Sequence, residues 1–310
     1  MVKLMNFNEE LKTRTIEAEN IVKSYLPKTE GFQRTVIEAM NYSFLAGGKR
    51  LRPLIMQMTY KMFGGKDSVV EPFMAALEMI HNYSLVHDDL PEMDNDELRR
   101  GMPTTHVKYG AGMAVLAGDG LLNYAFETAT KAFDMVEDLA GYKSVAKALK
   151  VLGSKAGIYG MIGGQCLDVE AEEKGFKICL DEVIFIDENK TAALLQCAFV
   201  VGAILAGADD DTCMKMEQLG RSLGIAFQLQ DDILDITSTT EVLGKPVGSD
   251  DKNGKITYVS LTGLDEATCE QQRLSKDAAD IISGFNGDNI DKEARDFLHN
   301  LVESLVNRKM

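Results

Sequence analysis

The chain has 310 residues, 45% of them hydrophobic, which is enough apolar material for a sizeable core in one large domain or two. Its formal net charge of −15 suits neither general nucleic-acid binding nor an anionic membrane, since both reward clustered Lys and Arg. No run reaches the ~20 uninterrupted apolar residues of a membrane span. The longest apolar region, residues 192–208, is broken by Gln196 and by glycines. The segment MVKLMNFNEELKTRT carries no long apolar stretch ahead of its charges, so the expected location is the cytoplasm. Cysteines at 166, 179, 197, 213 and 269 form no Cys-x-x-Cys pair and no zinc-type spacing with His, and read as reduced thiols.

Helical periodicity dominates the chain. Val36, Met40 and Phe44 recur at four-residue intervals and predict a helix that Gly47-Gly48 stops. Pro53 opens the next, which runs to Gly64-Gly65, and Pro72 opens a third that continues through Ile80, Tyr83 and Val86 until Pro91. Similar patterns predict helices over 113–136, 142–160, 180–206, 210–236, 265–284 and 291–307. Two short β-prone runs, 183–186 and 255–260, have no partner hairpin, and 238–256 is the longest loop. With no repeat and no low-complexity linker, the expectation is a single all-α helical bundle over residues 1–310.

Two acidic strings adjoin apolar helices: Asp88-Asp89-Leu90-Pro91-Glu92-Met93-Asp94, and Asp231-Asp232-Ile233-Leu234-Asp235. Carboxylates are rarely buried unless paired or metal-bound. Asp231 and Asp235 share a helix face, with Gln228 on the same side, and such a stripe of hard oxygens suits Mg²⁺ bridging to substrate phosphates. Asp94 is six residues beyond Asp88 and would share its side only if the chain bulged at Leu90-Pro91. His81 falls on the face of Asp88 two turns earlier. The acidic run at 209–211 instead reads as a helix amino-terminal turn. Basic residues form the complement: Lys49, Arg50 and Arg52 at a helix entrance, then Arg99-Arg100, Lys190-Thr191, and Lys245 and Lys255 around the long loop. Two acidic sites with distributed cations point to a ligand carrying more than one phosphate.

The ordered strings GGKRLRP (47–53), IHNYSLVHDDLPEMDNDELRRG (80–101), GGQCLDVE (163–170), NKTAALL (189–195) and FQLQDDILDITSTTEVLGKPVGSD (227–250) resemble the short-chain trans-isoprenyl diphosphate synthases over residues 44–258. The resemblance is greatest to the bacterial-type farnesyl diphosphate synthases. It implies an all-α isoprenoid synthase fold around a deep central cavity, a homodimer, and no nucleic-acid partner. It further implies that Asp88 and Asp94 hold two Mg²⁺ and Asp231 a third. Asp89 and Asp235 belong to the same metal motifs. Arg99, Lys190, Thr191, Gln228, Lys245 and Lys255 would hold the allylic diphosphate, and Lys49, Arg52, His81 and Arg100 isopentenyl diphosphate. One departure is visible: Val259 stands after Tyr258 where many relatives have proline, and a local backbone change is expected there.

The chemistry that follows is electrostatic. Metal and basic groups neutralise charge on the leaving diphosphate, the allylic C–O bond ionises, the alkene of isopentenyl diphosphate attacks, and the released diphosphate takes the proton. The cavity must be dry, and Phe227, Ile225, Leu195 and Leu194 are candidates for its lining. The resemblance implies that the chain-length determinant lies just before the first acidic motif, at Tyr83 and Ser84, the fifth and fourth residues before Asp88, where a bulky Tyr83 would stop growth at C15. Rival expectations are a geranylgeranyl (C20) synthase, a terpene cyclase, a catalytically silent subunit and a helical metal-binding protein.

Overall fold

The computed structural model describes residues 2–172, 177–237 and 256–306. Its regular structure is almost wholly helical, and among the described residues the sheet content is one antiparallel hairpin of two strands. Contacts group the chain into two compact units, Met1–Gln57 with Lys66–Leu149, and Met58–Gly65 with Lys150–Met310.

In the first unit come helices α1 (Val2–Ser24), α2 (Arg34–Leu45), the start of α3 (Leu51–Met62) and α4 (Glu71–Asp88). The hairpin of β1 (Leu98–Arg99) and β2 (Met102–Pro103) follows, then α5 (Thr105–Tyr109), α6 (Ala111–Thr130) and most of α7 (Leu139–Ala156). Helix α4 is apolar on every side, with Phe73, Met74, Ala75, Ala76, Leu77, Met79 and Ile80 fully buried, so it sits at the core and packs on α1, α2 and α6. Pro72 occupies its first turn, where a missing N–H costs no helix bond. Gly118 lets α6 approach closely, because a Cβ there would collide with the His87 imidazole on α4.

The second unit holds α8 (Met161–Ala171), α9 (Leu180–Ile186), a π-helical stretch (Asp187–Ala192), α10 (Ala193–Leu205) and α11 (Asp210–Thr237). It is completed by α12 (Tyr258–Thr262), α13 (Leu264–Ser283) and α14 (Lys292–Val306). Helix α10 is buried along nearly its whole length and lies against α11, which also packs on α13 and α14. At Gly220 a side chain would meet the backbone of Gln196, so the glycine sets how closely α10 and α11 approach. Asp209 caps α11, its Oδ1 accepting the Thr212 N–H at 2.7 Å, and Asp210 and Asp211 place negative charge in the first turn as the sequence predicts.

The predicted helices are present with shifted ends. The β-prone run at 183–186 is helical within α9, and 258–260 opens α12. There Thr257 and Ser260 form a reciprocal cap, Ser260 Oγ accepting the Thr257 N–H at 2.9 Å, so Val259 follows Tyr258 into a helix. The features not anticipated by the periodicity include α1, α5, α8 and the hairpin. Helix α8 forms despite Gly163 and Gly164, because Gly164 lies against the backbone of Lys190 where a larger residue would not fit. The expected long loop at 238–256 lies, except for Ile256, outside the described residues.

Candidate active site

The first acidic motif is built by the end of α4. The helix stops at Asp88, and the chain turns through Leu90-Pro91 and folds back so that the Asp94 N–H donates to the Asp88 carbonyl oxygen at 2.8 Å. Asn95 closes the turn by donating its N–H to the Leu90 carbonyl at 3.0 Å, with its own φ at 53°. The predicted bulge therefore exists and draws Asp94 back beside Asp88. Asp88 is half-buried and Asp94 exposed, while Asp89 is only 3% exposed.

The hairpin supplies the cations next to this turn. Its two central residues, Arg100 and Gly101, have φ of 54° and 76°, the left-handed pair that a tight two-residue β-turn needs. Arg99 Nε donates to Asp89 Oδ1 at 2.6 Å, and Arg99 Nη2 lies 3.5 Å from Asp96 Oδ2. Arg100 donates to the Gly47 carbonyl, tying the hairpin to the Gly47-Gly48 turn. A small cavity of about 30 Å³ is lined by Asp89, Arg99, Arg100, Asn82, Tyr42 and Thr104, among others.

The cations of GGKRLRP separate into distinct roles. Lys49 is exposed, whereas Arg50 is 2% exposed with a left-handed φ of 49°. Its guanidinium bonds Glu78 Oε1 and the Phe44 carbonyl, both at 2.7 Å, and lies over the Phe44 ring. Such a pair costs much to break, because removing either partner strands a buried charge. Arg52 is half-buried, and its Nε has no hydrogen-bond partner. His81, half-buried on α4, is held well below the ordinary imidazole range by burial, then by Arg52, Arg100, Arg50 and Arg99. It is therefore a neutral hydrogen-bonding group at neutral pH. Further along the same helix, Tyr83 is 5% exposed with a hydroxyl that lacks a partner, and burial followed by the Asp88 charge pushes it up to about 12. The Ser84 hydroxyl turns back onto the His81 carbonyl at 3.0 Å.

In the second unit, Lys190 and Thr191 sit on the π-helical stretch, a distortion frequent at functional positions. Lys190 Nζ donates to Asp168 Oδ2 of α8 at 2.5 Å. The Thr191 hydroxyl donates to Gln228 Oε1 at 3.3 Å, and Gln228 Nε2 donates to Asp232 Oδ1 at 3.0 Å. Asp231 is half-buried, Asp232 is 4% exposed and Asp235 1% exposed. Gln228 thus bonds Asp232, one helical turn on, while Asp231, three residues on, lies on the same side of the helix. Asp168, Lys190, Thr191, Gln228 and Asp232 line a cavity of about 40 Å³. A roomier cavity of about 370 Å³, lined by Phe63, Asp209, Thr212 and Phe285, contains none of the candidate residues. Lys245 and Lys255 lie outside the described residues. Of the lining candidates, Leu194, Leu195 and Ile225 are buried and Phe227 is half-buried.

Three participants escaped the sequence reading: Glu78, Asp168 and Asp232. Glu78 did carry a signal, since a carboxylate inside an otherwise apolar helix asks for a buried cation. Asp168 and Asp232 stand inside the recognised strings, but Asp168 meets Lys190 across twenty-two positions of chain, and nothing local announces that pairing. Among the described residues no three His, Cys, Asp or Glu side chains already converge as a metal cage.

Residues 33–292 match the family model described as Polyprenyl synthetase. The chain is 44% identical over 247 residues to the farnesyl diphosphate synthase of Geobacillus stearothermophilus, covering 79% of this chain and 81% of that one. It is 40% identical over 284 residues to the geranylgeranyl diphosphate synthase of Cyanophora paradoxa, covering 91% and 92%. Among solved structures, a geranyltransferase from Helicobacter pylori complexed with magnesium and isoprenyl diphosphate superposes with a TM-score of 0.82 at 30% identity, covering 97% of each chain.

Proposed function

The chain belongs to the polyprenyl synthetase family of prenyltransferases, with the all-helical isoprenoid synthase fold, and we propose that it joins isopentenyl diphosphate head to tail to dimethylallyl and geranyl diphosphate, giving farnesyl diphosphate. The observation that carries this reading is the turn at 88–94, which brings the Asp94 backbone back onto Asp88 at the end of an apolar helix, with Arg99 bonded to Asp89 between them. The whole chain acts as one synthase domain in this reading. Support comes from a family match that runs across both units and from α3 and α7, which each contribute residues to both.

The donor set fits magnesium. It consists of hard carboxylate oxygens without a complete protein cage among the described residues, and magnesium is usually held by one or two carboxylates together with substrate phosphates. Asp88, Asp94 and Asp231 would hold it, three ions in all, and it would supply charge neutralisation of the leaving diphosphate. The remaining steps belong to the chain's own side chains. Arg99, Lys190, Thr191 and Gln228 hold the allylic diphosphate, and Lys49, Arg52, Arg100 and His81 the isopentenyl diphosphate. Neutral His81 contributes an N–H donor there, and the free Arg52 Nε another. The proton leaves with the released diphosphate.

The C15 product rests on Tyr83, whose buried ring on α4 lies about one turn and a half before Asp88. A C20 product is the second reading, favoured by relatives of similar identity named as geranylgeranyl synthases. We place the enzyme in the cytoplasm as a homodimer. Among the described residues no helix is long and apolar enough to cross a membrane.

Mass spectrometry of products from isopentenyl and dimethylallyl diphosphate, with Mg²⁺ and with a chelator, tests all of this. Metal-dependent C15 is expected. C20 would retain the chemistry and discard the Tyr83 floor. Conversion of an allylic diphosphate without consumption of isopentenyl diphosphate would indicate a cyclase, and inert folded protein a silent subunit. Tyr83→Ala is expected to move the main product to C20 or longer, and an unchanged spectrum would remove Tyr83 as the determinant.

A further inference from the structure

We propose that Asp89 is a positioning residue for Arg99 and not a metal ligand, although it stands inside the acidic motif between Asp88 and Asp94. The inference rests on the proposed condensation and on Arg99 as a contact of the allylic diphosphate.

Three neighbouring carboxylates have three different surroundings. Asp88 is half-buried, Asp94 is exposed, and Asp89 is 3% exposed. The buried one is committed already: its Oδ1 accepts the Arg99 Nε–H at 2.6 Å. A cation arriving at Asp89 would have to displace a guanidinium from a desolvated carboxylate, whereas Asp94 meets solvent directly.

The way Arg99 is gripped matters. Asp89 holds the guanidinium by Nε, at the root of the fork. The Nη nitrogens make no hydrogen bond to Asp89, and Nη2 lies 3.5 Å from Oδ2 of exposed Asp96, so they can turn to a second anion. An arginine fixed at its root and open at its tips is set to meet a phosphate in a defined plane. A free arginine would lose rotamer freedom on doing so. Asp89 removes part of that loss before the ligand arrives.

The hairpin that carries Arg99 has its own attachments. The Tyr42 hydroxyl donates to the Pro103 carbonyl at 2.7 Å, the Thr104 hydroxyl donates to the Asp96 carbonyl at 2.7 Å, and the Thr104 N–H donates to the Glu97 carbonyl at 3.0 Å. Arg100 is tied separately to Gly47. Loss of the Asp89 charge therefore frees one guanidinium and leaves the hairpin backbone and Arg100 in place. A metal ligand, a general scaffold residue and a positioning residue then give three different signatures.

The experiment compares wild type, Asp89→Asn, Arg99→Ala and the double variant. Two ligand-binding constants are read without turnover: Mn²⁺ in the presence of saturating inorganic diphosphate, by electron paramagnetic resonance, and the non-ionising analogue geranyl thiolodiphosphate, by calorimetry. The KM for each substrate is read beside them. Asp89→Asn is expected to weaken the geranyl analogue about tenfold and to raise the geranyl diphosphate KM to match. Mn²⁺ affinity and the isopentenyl diphosphate KM should stay within about twofold, and the double variant should bind no worse than Arg99→Ala. A tenfold loss of Mn²⁺ affinity, equal changes for both substrates, or a full Asp89→Asn penalty in the Arg99→Ala background would each overturn the assignment. Should the Asn variant not fold, Asp89→Glu keeps the charge, moves it by one methylene and reads the same constants. Wild-type protein that binds the analogue but condenses nothing would sink the proposed condensation alone, since the binding constants still report on Asp89.

Discussion

At the end of α4, Asp88 and Asp94 lie on either side of a helix break, whereas in α11 Asp231 and Asp235 stand one turn apart on an uninterrupted helix. The break spends regular structure to release carboxylates: Asp88 is half-buried and Asp94 exposed. The intact helix cannot do so for both of its residues. Asp231 is half-buried, but Asp235, on the same side, is 1% exposed where α11 packs against its neighbours. A shared face at i, i+4 thus does not make two equivalent ligands; depth in the core separates them. The regions agree in another respect. Each neutralises a key cation internally, Arg99 on Asp89 and Lys190 on Asp168, so the cations are oriented without a bound ligand.

The largest expected effect separates the two motifs. Asp88→Ala should lower turnover by about 10³-fold, the scale of losing one main contact to developing charge, and leave the thermal midpoint nearly unchanged. Asp235→Ala should instead reduce stability first, by about 1–3 kcal/mol in denaturant titration, because it takes a buried polar partner out of the core. If both variants lose turnover alike with equal stability, depth is not what distinguishes the motifs. Next in size is Gly164→Ala. Its Cβ would strike the Lys190 backbone, so a loss of about 1–3 kcal/mol is expected, with a raised KM for the allylic diphosphate and little change for isopentenyl diphosphate. A neutral result would show that α8 can move away from the π-helical stretch freely.

The smallest effect concerns His81. Its folded-state pKa lies below the unfolded value, so between the two the unfolded chain binds more protons and stability falls as pH drops. Substrate-free protein should therefore lose stability below about pH 6.5, by at most about 1.4 kcal/mol per pH unit from this group. His81→Gln should flatten that part of the pH profile of thermal unfolding. An identical slope in the variant would assign the acid sensitivity to other groups.

Much of this was legible in the sequence, for identifiable reasons. Pro91 and the six-residue reach from Asp88 to Asp94 demand a bulge, and the chain supplies it. Glycine and proline punctuation marks the end of α2 and the start of α4. What stayed hidden depends on depth and on long-range partners. Lys49, Arg50 and Arg52 are equivalent as letters, yet Arg50 is sealed against Glu78, twenty-eight positions away. Helix α8 carries two glycines that argue against a helix locally and is explained only by its neighbour. The Arg100-Gly101 turn carries a local signal, a glycine after two charged residues, but its flanking strands of two residues each are too short to show an alternating pattern.

The π-helical stretch at Asp187–Ala192 has a consequence for helical phase. Residues 180–205 form one rod in which α9 and α10 are joined through a wider turn, equivalent to an extra residue inserted into an ordinary helix. Each residue of an α-helix advances the direction of its side chain by about 100°. The wider turn absorbs that advance, so Val183 and Ile186 before it, and Leu194 and Cys197 after it, can all be buried while Lys190 still meets Asp168. Substitution cannot undo this arrangement, but removal of a single residue can. A one-residue deletion within 187–192 would make the rod more regular and rotate one half against the other. Either the fit of α10 against α11 or the aim of Lys190 would be lost, making spacing at this point as specific as any side chain in it.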